Sequence, residues 1–244
     1  MNSKRSAVVL GVGPEQGLGA ALAKRFAAEG LHVFIAGRSE SKLEKVAQSI
    51  NRNGGSSTAV ITDGSVEHDI AHLFETVMLK DSVVDIAACT VDSNISIPFL
   101  ETDIETFTKL WTQNCLVGFL FGREAVKAMV KQQRGTLFFT GATASLRAKP
   151  PFTSFAAAKA GLRALAQGMA REFCPQGIHI VHIIIDGVID GERARQQFPE
   201  FVEVKGKDGL LQLDAIADTY WAVHCQHPSA WTHELDLRPY KEPF

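Results

Sequence analysis

Short apolar runs rich in β-branched residues alternate with longer stretches of helical period along the whole chain. The pattern predicts strands over 6–12, 32–37, 57–62, 82–89, 135–141 and 178–185, with a last one near 232–237. Helices fall between them, over 17–29, 39–50, 66–79, 152–173 and 214–226. A further long helix starts at the capping box Thr102-x-x-Glu105 and runs to about residue 129. The strands are continuous apolar runs rather than alternating ones, as expected where helices cover both faces of a sheet. Strand–helix alternation predicts an α/β fold with a doubly wound, mostly parallel sheet. Ligands of such sheets bind beyond the carboxyl ends of the strands, so those ends carry the candidate chemistry.

The first strand is followed by GVGPEQGLG, with Gly13, Gly17 and Gly19 in the spacing G-x-x-x-G-x-G. Glycine there allows a tight turn and a close approach of backbone N–H groups to a pyrophosphate, with the helix start aimed at the same anion. After the second strand stand Gly37 and Arg38. A carboxylate at that position suits the ribose hydroxyls of NAD, whereas a guanidinium suits a 2′-phosphate, so NADP(H) is favoured over NAD(H). A solvated surface arginine beside the helix led by Ser39 is the other reading. Asp63, after the third strand, either accepts from an adenine amino group or caps the next helix, and the two are compatible.

Within the helix over 152–173, Phe155 and Lys159 lie one turn apart on the face that continues through Leu162, Ala166, Met169 and Phe173. That face is the apolar one. A lysine there either slides its stem over apolar surface with its ammonium in water, or serves a site. Asn114 falls on a second apolar stripe, Phe107–Trp111–Gly118–Phe121, where a buried amide needs hydrogen-bond partners.

The 244 residues, 45% hydrophobic and 21% charged, fit one globular domain with an ample core. A formal charge of −2 gives no electrostatic ground for a nucleic-acid partner. No stretch approaches the roughly 20 apolar residues of a membrane span, and the basic-then-apolar start breaks at Gly13-Pro14-Glu15, as a strand would. Cys89, Cys115, Cys174 and Cys225 are scattered, which predicts neither a disulfide framework nor a zinc site and suits a reducing cytoplasm. His68 and His72 share a helix face without a third ligand, so a surface pair is expected.

Taken together, the glycine spacing, Gly37-Arg38, Asp63, the lone Asn114 and the aromatic-x-x-x-Lys helix resemble the short-chain dehydrogenase/reductase family over essentially the whole length. The resemblance implies a Rossmann-type, seven-stranded sheet in a single dinucleotide-binding domain over 1–244, with a substrate lid near 190–213. It implies cofactor contacts at Gly13, Gln16, Gly17, Leu18, Gly19, Arg38, Asp63, Thr90, Lys159 and Gly187, a small-molecule substrate, and a homodimer or homotetramer packed through the fourth and fifth helices. In the family a tyrosine exchanges the substrate proton, a lysine holds the ribose and lowers the tyrosine's pKa, a serine binds the substrate oxygen, and an asparagine holds a relay water. Lys159 and Asn114 match two of the four. The tyrosine position is Phe155 and the serine position is Ala142, so both groups that touch the reacting oxygen are missing.

Two further departures flank the nicotinamide end. The family's N-N-A-G after the fourth strand is Cys89-Thr90-Val91-Asp92, and its P-G after the sixth is Asp186-Gly187, followed by Asp190 where a threonine is usual. An extra carboxylate at Asp190 sits near the pyrophosphate or carboxamide in this resemblance and is expected to repel the phosphates. Thr143 and Ser154 are expected to face away from the site, and Tyr240 is the remaining hydroxyl that could reach it. The implied activities are an NADP(H)-dependent oxidoreductase with an atypical active site, a non-catalytic dinucleotide-binding sensor, or an interaction protein of the same fold.

Overall fold

The computed structural model describes residues 4–80 and 82–242. Its strands are β1 (Lys4–Leu10), β2 (His32–Gly37), β3 (Ser56–Ile61), β4 (Ser82–Cys89), β5 (Gly135–Ala142), β6 (Ile178–Ile185) and β7 (Glu234–Leu237). They form one seven-stranded sheet in the order β3-β2-β1-β4-β5-β6-β7, and every neighbouring pair is parallel. The helices are α1 (Leu18–Ala28), α2 (Glu40–Arg52), α3 (Glu67–Met78), α4 (Ile104–Trp111), α5 (Val117–Gln132), α6 (Thr153–Phe173), α7 (Glu192–Gln197), α8 (Pro199–Lys205) and α9 (Leu213–His224).

Side chains along β1 alternate between two apolar layers. Ala7 and Val9 join the layer built with α1, α2 and α9, whereas Val8 and Leu10 join the one built with α3, α5 and α6. Every residue of β2 and β6 is buried, which is why these runs carry no polar alternation. This is the expected Rossmann-type α/β architecture, and its strand order reverses between β1 and β4. The crevice at their carboxyl ends is therefore the place for a ligand.

Three details of the helix after β4 depart from the sequence reading. The helix after β4 is capped by Asp103, whose carboxylate accepts from the Thr106 N–H at 2.7 Å; the Thr102 hydroxyl instead donates to the Pro98 carbonyl. That helix is also not uniform, because a π-turn over Thr112–Leu116 separates α4 from α5. The extra residue shifts the buried line to Leu110, Asn114, Gly118 and Phe121, and leaves Phe107 and Trp111 at its rim, 37% and 41% exposed. Segment 190–213 contains two short helices, α7 and α8, and its ends meet. Ile189 and Leu211 form a parallel bridge, and the Asp190 N–H donates to the Leu211 carbonyl at 2.8 Å.

Two buried histidines and one half-buried one are fixed by hydrogen bonds. His32 bonds Ser56 and Thr58, His182 bonds Glu234, and His224 bonds Thr136. Burial is the largest influence on each and pushes its pKa from 6.5 down to about 4. The folded chain thus binds fewer protons than the unfolded chain between those values. Stability is complete above the unfolded value and declines as pH falls from 6.5 towards 4. The urea midpoint is accordingly lower at about pH 5 than at about pH 7, and equal midpoints would contradict neutral buried histidines.

Candidate active site

The loop from Gly11 to Gly19 is shaped by close backbone contacts. A Cβ on Gly19 would stand 2.8 Å from the Gly11 carbonyl oxygen, so only glycine lets α1 start this close to the end of β1. A Cβ on Gly13 would meet nothing within 4 Å, which marks open space above the loop. Gly17 is the N-cap of α1 and no side chain caps it, leaving backbone N–H groups without an intrahelical partner. Open space, uncapped N–H groups and the positive end of a helix together suit an anion. Leu18 is half-buried and Gln16 exposed, and the Gln16 carbonyl accepts from the Glu192 N–H of α7 at 2.8 Å.

Arg38 is exposed at the end of β2, near Asp63 at the end of the adjoining strand. Both hydrogen bonds from Ser65, side chain and backbone, hold the Asp63 carboxyl below the usual carboxylate range, and the Arg38 charge adds to this. Asp63 closes a turn ahead of α3 rather than capping it; the N-cap is Val66. The Thr90 hydroxyl donates to the Leu10 carbonyl at 2.9 Å and so ties β4 to β1. Gly187 has φ +153°, and a Cβ there would lie 2.9 Å from Pro239 of the tail.

Lys159 is 1% exposed. Its ammonium donates to the Thr140 carbonyl at 3.1 Å, lies 3.0 Å from Asp92 Oδ1, and sits 5.7 Å from the centre of the Phe155 ring. The ring contributes a cation–π contact and no proton. Phe155 is itself buried, and Ala142 ends β5. Nearby hydroxyls have other duties. Thr143 Oγ1 donates to Asp186 Oδ1 at 2.5 Å, and Ser145 donates to the Ala142 carbonyl at 2.7 Å. Ser154 Oγ is buried with no hydrogen-bond partner among the described residues, and Tyr240 is 79% exposed. Tyr220, wholly buried, bonds Thr140 Oγ1 at 2.8 Å, and burial raises its pKa. No hydroxyl among the described residues bonds the Lys159 ammonium.

Asn114, 2% exposed, is satisfied by backbone. Its amide nitrogen donates to the Ser93 and Leu110 carbonyls at 2.8 and 2.9 Å, while its oxygen accepts from the Ser93 N–H at 3.3 Å. The acidic residues at the strand ends are compensated. Asp186 pairs with Arg147 and Arg238, and Asp190 takes a two-point bond from Arg195, at 2.7 and 2.8 Å, plus one from Gln212. The expected repulsion from a bare Asp190 is therefore corrected by the Arg195 partner on α7.

Two residues gain importance only in three dimensions. Asp92 pairs with Lys159, and Arg193 of α7 reaches the same carboxylate at 3.5 Å while also bonding Asn94. The one signal in the sequence was an acid standing where the resembling family has glycine. His68 and His72 lie on the surface, 90% and 60% exposed at the side chain, and no metal-ligand cluster occurs among the described residues. Among the same residues no helix is long and apolar enough to cross a membrane.

Residues 7–200 match the family described as short chain dehydrogenase. A solved short-chain dehydrogenase from Rhodopseudomonas palustris is 36% identical, covers 97% of this chain and 99% of its own, and superimposes with a TM-score of 0.83. The uncharacterized oxidoreductase YuxG of Bacillus subtilis is 34% identical over 191 residues, which is 75% of this chain and 27% of YuxG's length. A 3-oxoacyl (acyl-carrier-protein) reductase from Agrobacterium tumefaciens, solved with NADP bound, shares the fold at 23% identity and a TM-score of 0.81, covering 95% of this chain and 93% of its own.

Proposed function

Since the chain belongs to the short-chain dehydrogenase family, we propose that it is an NADP(H)-dependent oxidoreductase acting on a small molecule through an atypical reacting centre. The observation that carries this reading is Arg38 at the end of β2, exposed and next to Asp63, with Gly37 offering no carboxylate. A guanidinium there binds a 2′-phosphate in two-point fashion, whereas NAD would leave it idle. The uncapped start of α1 and the open space over Gly13 fit the pyrophosphate, and Asp63 retains acceptor capacity for the adenine amino group.

The dinucleotide supplies the hydride donor or acceptor. Lys159 holds the ribose beside the nicotinamide with N–H capacity that Thr140 leaves unused. At Phe155 and Ala142 the chain offers a ring and a methyl, so the substrate's oxygen receives no proton from those two positions. An activated carbon–carbon double bond, or another acceptor that needs no acid there, suits this centre better than an ordinary ketone. A reducing cytoplasm belongs to the same reading, supported by four free cysteines. So does a homodimer or homotetramer through α6 and the long helix divided into α4 and α5, supported by the exposed Phe107, Trp111 and Phe119.

Titration of wild-type protein and Arg38→Ala with NADPH and NADH tests the proposal. Loss of the arginine weakens NADPH by about 10- to 100-fold, as expected for a charge-assisted pair, and leaves NADH nearly unchanged. Equal losses for both, or tighter wild-type binding of NADH, would overturn the NADP reading.

A further inference from the structure

Asp92 stands where no family role places a carboxylate, yet two cations hold it in the crevice. The buried Asn114 amide bonds both the N–H and the carbonyl of Ser93, so the backbone adjoining Asp92 is fixed from inside the protein. On one side Asp92 Oδ1 lies 3.0 Å from the Lys159 ammonium; on the other, Arg193 of α7 approaches Oδ2 at 3.5 Å. Arg193 is itself anchored by Asn94, and α7 begins against the glycine-rich loop through Glu192 N–H and the Gln16 carbonyl. The lysine stem is buried and the carboxylate half-buried: their side chains are 1% and 35% exposed.

A vicinal diol needs an acceptor and a donor side by side. An ammonium has three N–H groups, of which Thr140 takes one while Asp92 is in ion-pair contact; a carboxylate has about four acceptor positions, of which Arg193 uses one. Both groups keep capacity, and the partly exposed one opens onto the crevice. Two cations beside one anion also remove the repulsion that a bare carboxylate would exert on a phosphorylated ligand.

We propose that Asp92 and Lys159 form a two-sided clamp for the ribose adjoining the nicotinamide, in which the carboxylate accepts from the sugar hydroxyls that the ammonium orients. The clamp rests on the dinucleotide reading above and adds to it a residue that decides how tightly the nicotinamide half is held.

Calorimetric binding of NADPH and of adenosine 2′,5′-bisphosphate, which lacks that ribose, separates the two readings. For Asp92→Asn the expected result is a loss of about tenfold for NADPH, the equivalent of one charge-assisted hydrogen bond, with the bisphosphate unchanged within about twofold. Asp92→Glu keeps the charge, guards against a variant that fails to fold, and loses NADPH affinity by at least about threefold through the misplaced oxygens. Undiminished NADPH affinity in either variant that still binds the bisphosphate overturns the clamp and leaves the cofactor reading standing. Wild-type protein that binds neither ligand overturns both. Should Asp92→Asn bind neither, Asp92→Glu decides by the same criterion, and loss of both ligands there as well assigns Asp92 to the fold and overturns the clamp.

Discussion

Phe155→Tyr combined with Ala142→Ser raises carbonyl reduction by at least about a hundredfold over the unmodified chain. The scaffold for the gain is already present. The Phe155 ring is packed in place, 6% exposed, with the Lys159 ammonium 5.7 Å from its centre, so the substitution adds one hydroxyl to a ring that need not move. Ala142 closes β5, and serine there adds a donor at the strand end. The two groups act on the same oxygen as a unit, so either alone recovers only part of the effect. NADPH consumption with a panel of aldehydes and ketones measures the gain. A wild-type rate equal to that of the double variant would mean that another proton donor serves the site and would remove the case for an atypical centre.

Gly37→Ala is expected to cost about 3 kcal/mol or more, a fall in Tm of roughly 6–12 °C for a chain of this size. Its Cβ would stand 2.3 Å from the Val12 carbonyl oxygen. That oxygen is main chain and cannot swing aside, because the Gly11 and Val12 N–H groups both donate to the Ala36 carbonyl at 2.9 Å. Relief requires the glycine-rich loop to lift from β2, which moves the anion cradle as well. The control is Gly168→Ala on α6, where the new methyl meets nothing within 4 Å; it is neutral or stabilising by up to about 1 kcal/mol. Similar denaturant midpoints for the two variants would show that the loop yields more readily than its contacts imply.

The sheet was legible because its central strands are buried on both faces, so β2 and β6 stand out as mainly apolar runs, interrupted only by histidines, with turns at their ends. The glycine-rich turn was legible for a similar reason: backbone contacts at Gly19 exclude every other residue, so the constraint is written in the sequence itself. Local competition hid other features. Asp103 and Thr102 are both good caps, and only the path of the chain after Pro98 gives the role to Asp103. The π-turn leaves no periodic signature of its own, since one extra residue displaces the apolar line by a single step. The Asp92–Lys159–Arg193 arrangement was the least legible. It joins a loop, the buried face of α6 and the segment after β6, and charge pairing across such distances in sequence arises only once the sheet has brought the strand ends together.

The pairing of Ile189 with Leu211 gives segment 190–210 a closed base. Chain added or removed beyond that base changes the entropy of closing the loop only logarithmically, by about 0.6 kcal/mol per doubling of length. The strands are thereby insulated from the length of the excursion, and insertions or deletions within it leave their register unchanged.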